Sequence, residues 1–109
     1  MKEKIVENNC PMRATLKIIG GKWKPLVLQQ LNGQVRRFSE FRRLIPEITK
    51  QMLTKSLREL EKDKIINRKI YPVVPPKVEY SLTEKGKSLI PVLEIMAVWG
   101  EEQVNEMQN

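Results

Sequence analysis

The chain has 109 residues, 20 Lys+Arg against 13 Asp+Glu, a formal net charge of +7, one cysteine and no histidine. That length fits one domain spanning residues 1–109. No apolar run approaches the roughly 18 residues of a membrane span. The start MKEKIVENNC has no apolar leader region, so a soluble, cytoplasmic chain without a membrane partner is expected. Lacking histidine, it lacks the commonest general base and metal ligand, and lone Cys10 excludes an internal disulfide. An enzyme, a metal site or a bound cofactor is not expected. Gly20-Gly21-Lys22 has neither the glycine spacing nor the following Ser/Thr of a phosphate loop.

Pro11 suits the first position of a helix that runs to about Ile19 and ends at Gly20-Gly21. Pro25 opens a second helix, with Leu26, Val27, Leu28 and Leu31 apolar, and Gly33 stops it. Val35–Phe38 reads as short and extended. Ser39 is the expected N-cap of a third, short helix over Glu40–Ile45, which Pro46 halts. Thr49 caps a fourth helix reaching about Asp63. Ile65–Tyr71 and Lys77–Leu82 read as strands, the second alternating Val78, Tyr80, Leu82 inward with Glu79, Ser81 outward. The loop between them, Pro72-Val73-Val74-Pro75-Pro76, is stiffened by proline and resists edge pairing. Thr83 caps a last helix that Pro91 should bend or restart. A short helix, a tight turn and a longer helix form a helix-turn-helix, and the hairpin after it is a wing. The expected fold is mainly α with a small β-sheet: a winged helix-turn-helix.

Charge is distributed unevenly along this plan. Residues 1–35 carry +4, residues 36–77 carry +7 and residues 78–109 carry −4. A basic stretch built into folded elements implies a polyanionic partner. On a helical wheel Leu53, Leu57 and Leu60 of the fourth helix cluster within about 60° and should face the core. Opposite them fall Gln51, Lys55, Arg58 and Lys62, with Thr54 flanking. The second helix of a helix-turn-helix enters the major groove N-terminus first, which favours Lys50, Gln51, Thr54, Lys55 and Arg58 as base-reading candidates. Gln pairs with adenine and Arg with guanine through two hydrogen bonds each. Arg36, Arg37, Ser39, Arg42 and Arg43 lie where phosphates would be held without sequence reading. Arg68, Lys69 and Lys77 lie on the wing, within reach of an adjacent minor groove or its phosphates. Each of these basic positions is equally readable as a solvated surface charge.

The last helix is apolar on nearly every side from Leu89 to Trp99. Ile90, Leu93, Met96 and Ala97 form one stripe; Val92, Ile95 and Trp99 form another. One stripe can cover the core, and the other needs a second protein surface, most simply a second copy. Leu89, Val92, Ile95, Met96 and Trp99 are therefore the candidate interface of a homodimer, which would present two recognition helices to two half-sites one helical turn apart. Trp23 and Trp99 read as core or interface packing. Cys10 stands at the N-terminal edge of the first helix near Arg13 and Lys17, a setting that favours thiolates. It reads either as a reactive thiol or as a small buried hydrophobe.

Several strings resemble one known family. They are Cys10-Pro11-Met12-Arg13, Ile19-Gly20-Gly21-Lys22-Trp23 and Arg37-Phe38-Ser39-Glu40-Phe41. They continue through Leu53-Thr54, Leu57-Arg58-Glu59-Leu60-Glu61, Pro75-Pro76-Lys77-Val78-Glu79-Tyr80-Ser81-Leu82-Thr83 and Trp99-Gly100. Together, over about residues 10–100, the chain resembles the HxlR-type family of bacterial winged-helix regulators. The resemblance implies a dimeric, double-stranded DNA-binding transcriptional regulator with its first and last helices at the dimer interface. It also implies a role for Cys10 in sensing an oxidant or electrophile effector, a role that varies among family members. The rival classes are a winged-helix module that binds an acidic protein, and an RNA-binding module. The scarcity of aromatic residues, 6%, speaks against stacking on single strands.

Overall fold

The computed structural model describes residue 3 and residues 5–108. Its elements are α1 (Pro11–Ile19), α2 (Lys24–Gln30), α3 (Phe38–Leu44), α4 (Lys50–Lys62), β1 (Ile66–Tyr71), β2 (Lys77–Leu82) and α5 (Glu84–Met107). Helix α2 packs on α3, α4 and α5, and the antiparallel β1–β2 hairpin follows α4 directly. This is the winged helix-turn-helix order.

One apolar cluster holds these elements together: Val27, Leu28 and Leu31 from α2 and its end, Phe41 from α3, Leu53, Leu57 and Leu60 from α4, with Ile66, Leu82, Ile90 and Leu93. Each such side chain stabilises the fold by about 1.5–3 kcal/mol relative to exposure. Ile45 and Ile48 are buried in the turn between α3 and α4, and their burial fixes the angle between the two helices.

Three local devices aim α4 and the wing. The Thr49 hydroxyl accepts the Met52 N–H at 3.1 Å and starts α4, an N-cap contribution of about 1 kcal/mol. At its other end Lys64 takes a left-handed conformation, φ 62°. Its N–H bonds the Glu61 carbonyl at 3.0 Å and the Ile65 N–H bonds the Leu60 carbonyl at 2.9 Å, a Schellman end built on lysine instead of glycine. Thr83 then ties this turn to α5. Its hydroxyl donates to the Lys64 and Ile65 carbonyls and accepts the Gly86 N–H at 3.0 Å. Gly86 is buried against the Ile65 carbonyl, where a Cβ would collide.

The structure corrects three expectations. Ser39 is not the N-cap of α3: the helix starts two residues earlier than expected, at Phe38, with Arg37 at the cap position. The Glu40 carboxylate accepts the Arg37 N–H at 2.9 Å, so an acidic residue inside the first turn satisfies the end that Ser39 was expected to satisfy. The extended stretch before α3 reduces to one bridge, Arg36 with Tyr80, whose backbone bonds measure 2.9 and 2.7 Å. Pro91 does not restart α5, which runs unbroken through it. Pro91 is exposed, so the Lys87 carbonyl that loses its helical donor is on the wet side of the helix.

Candidate nucleic-acid interface

Burial divides α4 along its length. Leu53, Ser56, Leu57 and Leu60 face the core, while Lys50, Gln51, Lys55, Arg58 and Lys62 are exposed and Thr54 is half-buried beside them. The five base-reading candidates thus share one solvent-facing side of the helix. Its acidic neighbour Glu59 borders this face and is paired by Lys24 of α2, with Nζ 2.6 Å from its carboxylate. The hydrogen bond from Lys24 holds Glu59 below the ordinary glutamate value, burial opposes this, and the charges of Lys24, Lys55 and Lys62 add to it.

The wing stands against the same side. Thr54, Leu57, Arg58 and Glu61 of α4 join Phe38, Arg68 and Tyr80 around a notch of about 280 Å³. Arg68 Nε lies 3.0 Å from Glu61 Oε2 and donates a hydrogen bond to it. That bond, and then the carboxylate's charge, raise the Arg68 pKa. Tyr80, which lines the notch, meets Phe41 edge-on with ring centroids 6.0 Å apart. Its burial raises its hydroxyl's pKa. Glu61 and Tyr80 were missed as site residues: Glu61 lies on α4 itself one turn past Arg58, and Tyr80 arrives only through the hairpin that sets it opposite Arg68.

Further out, Lys69 and Lys77 hold their ammonium groups 4.8 and 5.0 Å from the centre of the Tyr71 ring, each a cation–π contact. Lys77 also lies 3.4 Å from Glu79. A hydrogen bond from Tyr71, and after it Lys77, keep Glu79 below the ordinary range despite some burial.

The phosphate candidates separate. Arg37, Ser39, Arg42 and Arg43 are exposed on or beside α3. Arg36 is not free in the same way. Its Nε donates to the Gln30 carbonyl at 2.9 Å and its guanidinium lies 3.6 Å from Glu40. It ties the end of α2 to α3.

The remaining candidates lie away from this face. Leu89 is half-buried, whereas Val92, Ile95, Met96 and Trp99 are exposed, Ile95 at 72% and Trp99 at 66%. Trp99 is therefore not core, while Trp23 packs against the core. Of the stripe expected to cover the core, only Ile90 and Leu93 do so; Met96 and Ala97 are exposed because α5 outruns the domain. Cys10 is the N-cap of α1 and its Sγ accepts the Arg13 N–H at 3.4 Å. It is half-buried. Among the described residues, no group of three potential ligands is placed to hold a metal, and no helix is long and apolar enough to cross a membrane.

A recognition helix with a basic outer face, a buried turn before it and a wing beside it define a winged helix-turn-helix transcriptional regulator, a DNA-binding protein. More narrowly, residues 18–108 match the HxlR-like helix-turn-helix family, and the chain belongs to it. It is 58% identical over 92 residues to YdeP of Bacillus subtilis (strain 168), an uncharacterized HTH-type transcriptional regulator, covering 84% of this chain and 72% of that one. Two solved structures are also similar. The redox regulator HypR in its reduced form gives a TM-score of 0.85 at 48% identity, covering 91% of this chain and 98% of that one. HypR in its oxidized form gives 0.82 at 53% identity, covering 85% and 96%.

Proposed function

We propose that this regulator binds double-stranded DNA sequence-specifically, as a homodimer on a pseudo-palindromic operator, and that Cys10 tunes this binding through its redox state. The observation that carries the reading is the shared face of α4 and the wing. Gln51, Lys55 and Arg58 stand exposed on the helix that follows the turn, with Thr54 half-buried beside them, and Arg68 and Tyr80 adjoin Arg58 across the notch. Arg58 and Gln51 supply paired hydrogen bonds to base edges, and Arg37, Arg42 and Arg43 supply phosphate contacts that set register.

The homodimer is supported by shape and exposure. The radius of gyration is 16.3 Å, against about 13 Å for a compact domain of this length. The excess lies in an elongated body of 61 × 40 × 25 Å whose terminal helices leave apolar side chains bare: Met12 and Leu16 on α1, and Ile95, Val98 and Trp99 on α5. A second copy covers both by a two-fold axis and sets two α4 helices one DNA turn apart.

Redox control is supported by the similarity to HypR and by the place of Cys10. A half-buried sulfur caps α1 by accepting a single backbone N–H, and α1 carries half of the proposed interface. With one cysteine per chain, oxidation yields an intersubunit disulfide or a mixed disulfide with a small thiol. Either changes the spacing of the two recognition helices.

Selection of duplexes from a random pool tests the reading. Enrichment of an inverted repeat with half-site centres about 10 base pairs apart supports it. Enrichment of single-stranded RNA over any duplex, or of no sequence, contradicts it.

A further inference from the structure

A cavity of about 630 Å³ opens where the end of α2, the end of β2 and the first turns of α5 meet, a size that suits a small molecule. Leu31, Leu82 and Ile90 line it and are buried. Val35, 52% exposed, lines its open side. The apolar lining is aliphatic, with no aromatic ring. Lys87 is the one charged residue that borders the cavity, and Asn32, Gln34 and Ser81 add neutral hydrogen-bonding groups. The Lys87 ammonium lies 3.1 Å from Glu84, one turn earlier on α5, and both side chains are exposed. Such a pair contributes little, so Lys87 turns to a second anion at small cost.

Charge separates this cavity from another apolar cleft on α5. There Ile95, Val98 and Trp99 are flanked by Glu94 and Glu102, which turn an anion away. The cavity between α2, β2 and α5 has the opposite sign. Its complement is a carboxylate on a short alkyl chain, with the chain against Leu31, Leu82 and Ile90 and the head on Lys87.

The position of the cavity ties it to the reading face. Tyr80 of β2 lines the notch beside Arg58, and the next two residues, Ser81 and Leu82, line this cavity. Tyr80 is also bonded through its backbone to Arg36, the neighbour of Val35. On the other wall Pro91 borders the cavity and removes the helical hydrogen bond to the Lys87 carbonyl, which makes this the turn where α5 bends most easily. A chain lodged here sits at the joint between the wing and α5, and favours whichever angle between them holds it best.

We propose that this cavity is an effector site for a medium-chain aliphatic carboxylate, and that its occupancy changes the affinity for operator DNA. Binding of the carboxylate is independent of the DNA-binding reading; the effect on operator affinity rests on that reading.

The test uses the full chain and three probes of one chain length: octanoate, octanol and octylammonium. Methyl NMR locates each probe and titration gives its affinity. Octanoate should shift the methyls of Leu31, Leu82 and Ile90, leave those of Ile95 and Val98 in place, and bind roughly fivefold more tightly than octanol. Octylammonium should leave the cavity methyls unmoved. Lys87→Gln, at an exposed position that leaves folding intact, should abolish the preference for octanoate without changing octanol binding. Val35→Glu, also at an exposed position, should weaken octanoate and spare octanol. Saturating octanoate should change the operator affinity of the wild type at least about fivefold, and Lys87→Gln should need roughly fivefold more octanoate for the same change. No binding of octanoate at millimolar concentration overturns the proposal, as does equal affinity for octanoate and octanol, or shifts centred on Ile95 and Val98. Octanoate that fills the cavity and leaves operator affinity unchanged overturns the effector role. If the wild type selects no duplex, the DNA reading falls and the effector role with it, while the NMR arms still decide whether the cavity takes a carboxylate.

Discussion

Arg68 of the wing and Glu61 of α4 meet with Nε 3.0 Å from Oε2, so the hairpin bearing the wing cations is tied to the helix bearing the reading face. Both side chains are substantially exposed, and such pairs contribute little to stability. Their cost is electrostatic: Glu61 places a carboxylate beside the surface offered to phosphates. Glu61→Gln is therefore expected to bind random duplex severalfold more tightly, with a salt slope steeper by about one and an unchanged melting temperature. Weaker binding at the same slope would instead make the pair a device that orients the wing. Binding titrations at a series of salt concentrations decide between them.

The Lys24–Glu59 pair makes a pH prediction. The carboxylate sits below its ordinary value of 4.5, chiefly through the Lys24 hydrogen bond. Its folded value being the lower one, the folded state prefers the ionised group. That stability is fully present above the ordinary value and is lost as the pH falls through the folded value. Glu59 is partly exposed, with 40% of its side chain accessible, so the contribution is at most about 0.5–1 kcal/mol. The melting-temperature gap between wild type and Glu59→Gln should stay constant from about pH 7 to about pH 5 and close below it. A gap that widens on acidification contradicts this.

Ile95 and Trp99 carry the dimer prediction. At 72% and 66% exposure they contribute nothing to the monomer core, so Ile95→Glu should leave the melting of the isolated domain intact while placing a charge in the interface. Sedimentation at micromolar concentration should show a dimer for wild type and a monomer for the variant. A wild-type monomer that stays monomeric on DNA removes the two-fold model.

The readable parts of this fold are those set by local chemistry. The leucine spacing of α4 and its Thr49 cap placed both faces of the helix, and Pro11 and Pro25 placed the starts of α1 and α2. The misreadings arose where the choice of side-chain partner decides, and some of those partners are brought together only by the fold. Arg36 looked like a phosphate contact because nothing nearby shows that its guanidinium reaches the Gln30 carbonyl and Glu40. Ser39 lost the cap because Glu40 reached back to Arg37. Tyr80 entered the notch only through the hairpin register that sets it opposite Arg68. Burial of Gly86 against Ile65 is likewise a long-range contact with no local signature.

Cys10 gives a chemical prediction. Its Sγ caps α1 by accepting the Arg13 N–H, and a serine hydroxyl can do the same, so Cys10→Ser should keep the helix and lose the chemistry. Mild oxidant should reduce operator binding by the wild type and leave the variant unaffected, with thiol reductant restoring the wild type. Equal loss in both proteins, or loss in neither, excludes a thiol switch under those conditions.

The central claim is that the exposed face of α4 reads bases while the arginines around α3 hold phosphates. Affinities of Arg58→Ala and Arg37→Ala for the selected operator, for its single-base variants and for random duplex test it most directly. Arg58→Ala is expected to lose roughly 1–3 kcal/mol per subunit on the operator and to relax preference at one position in each half-site. Arg37→Ala is expected to weaken operator and random duplex equally and to shallow the salt slope. An Arg58→Ala protein with unaltered affinity and unaltered base preference would contradict the assignment of α4 as the reading helix in this orientation.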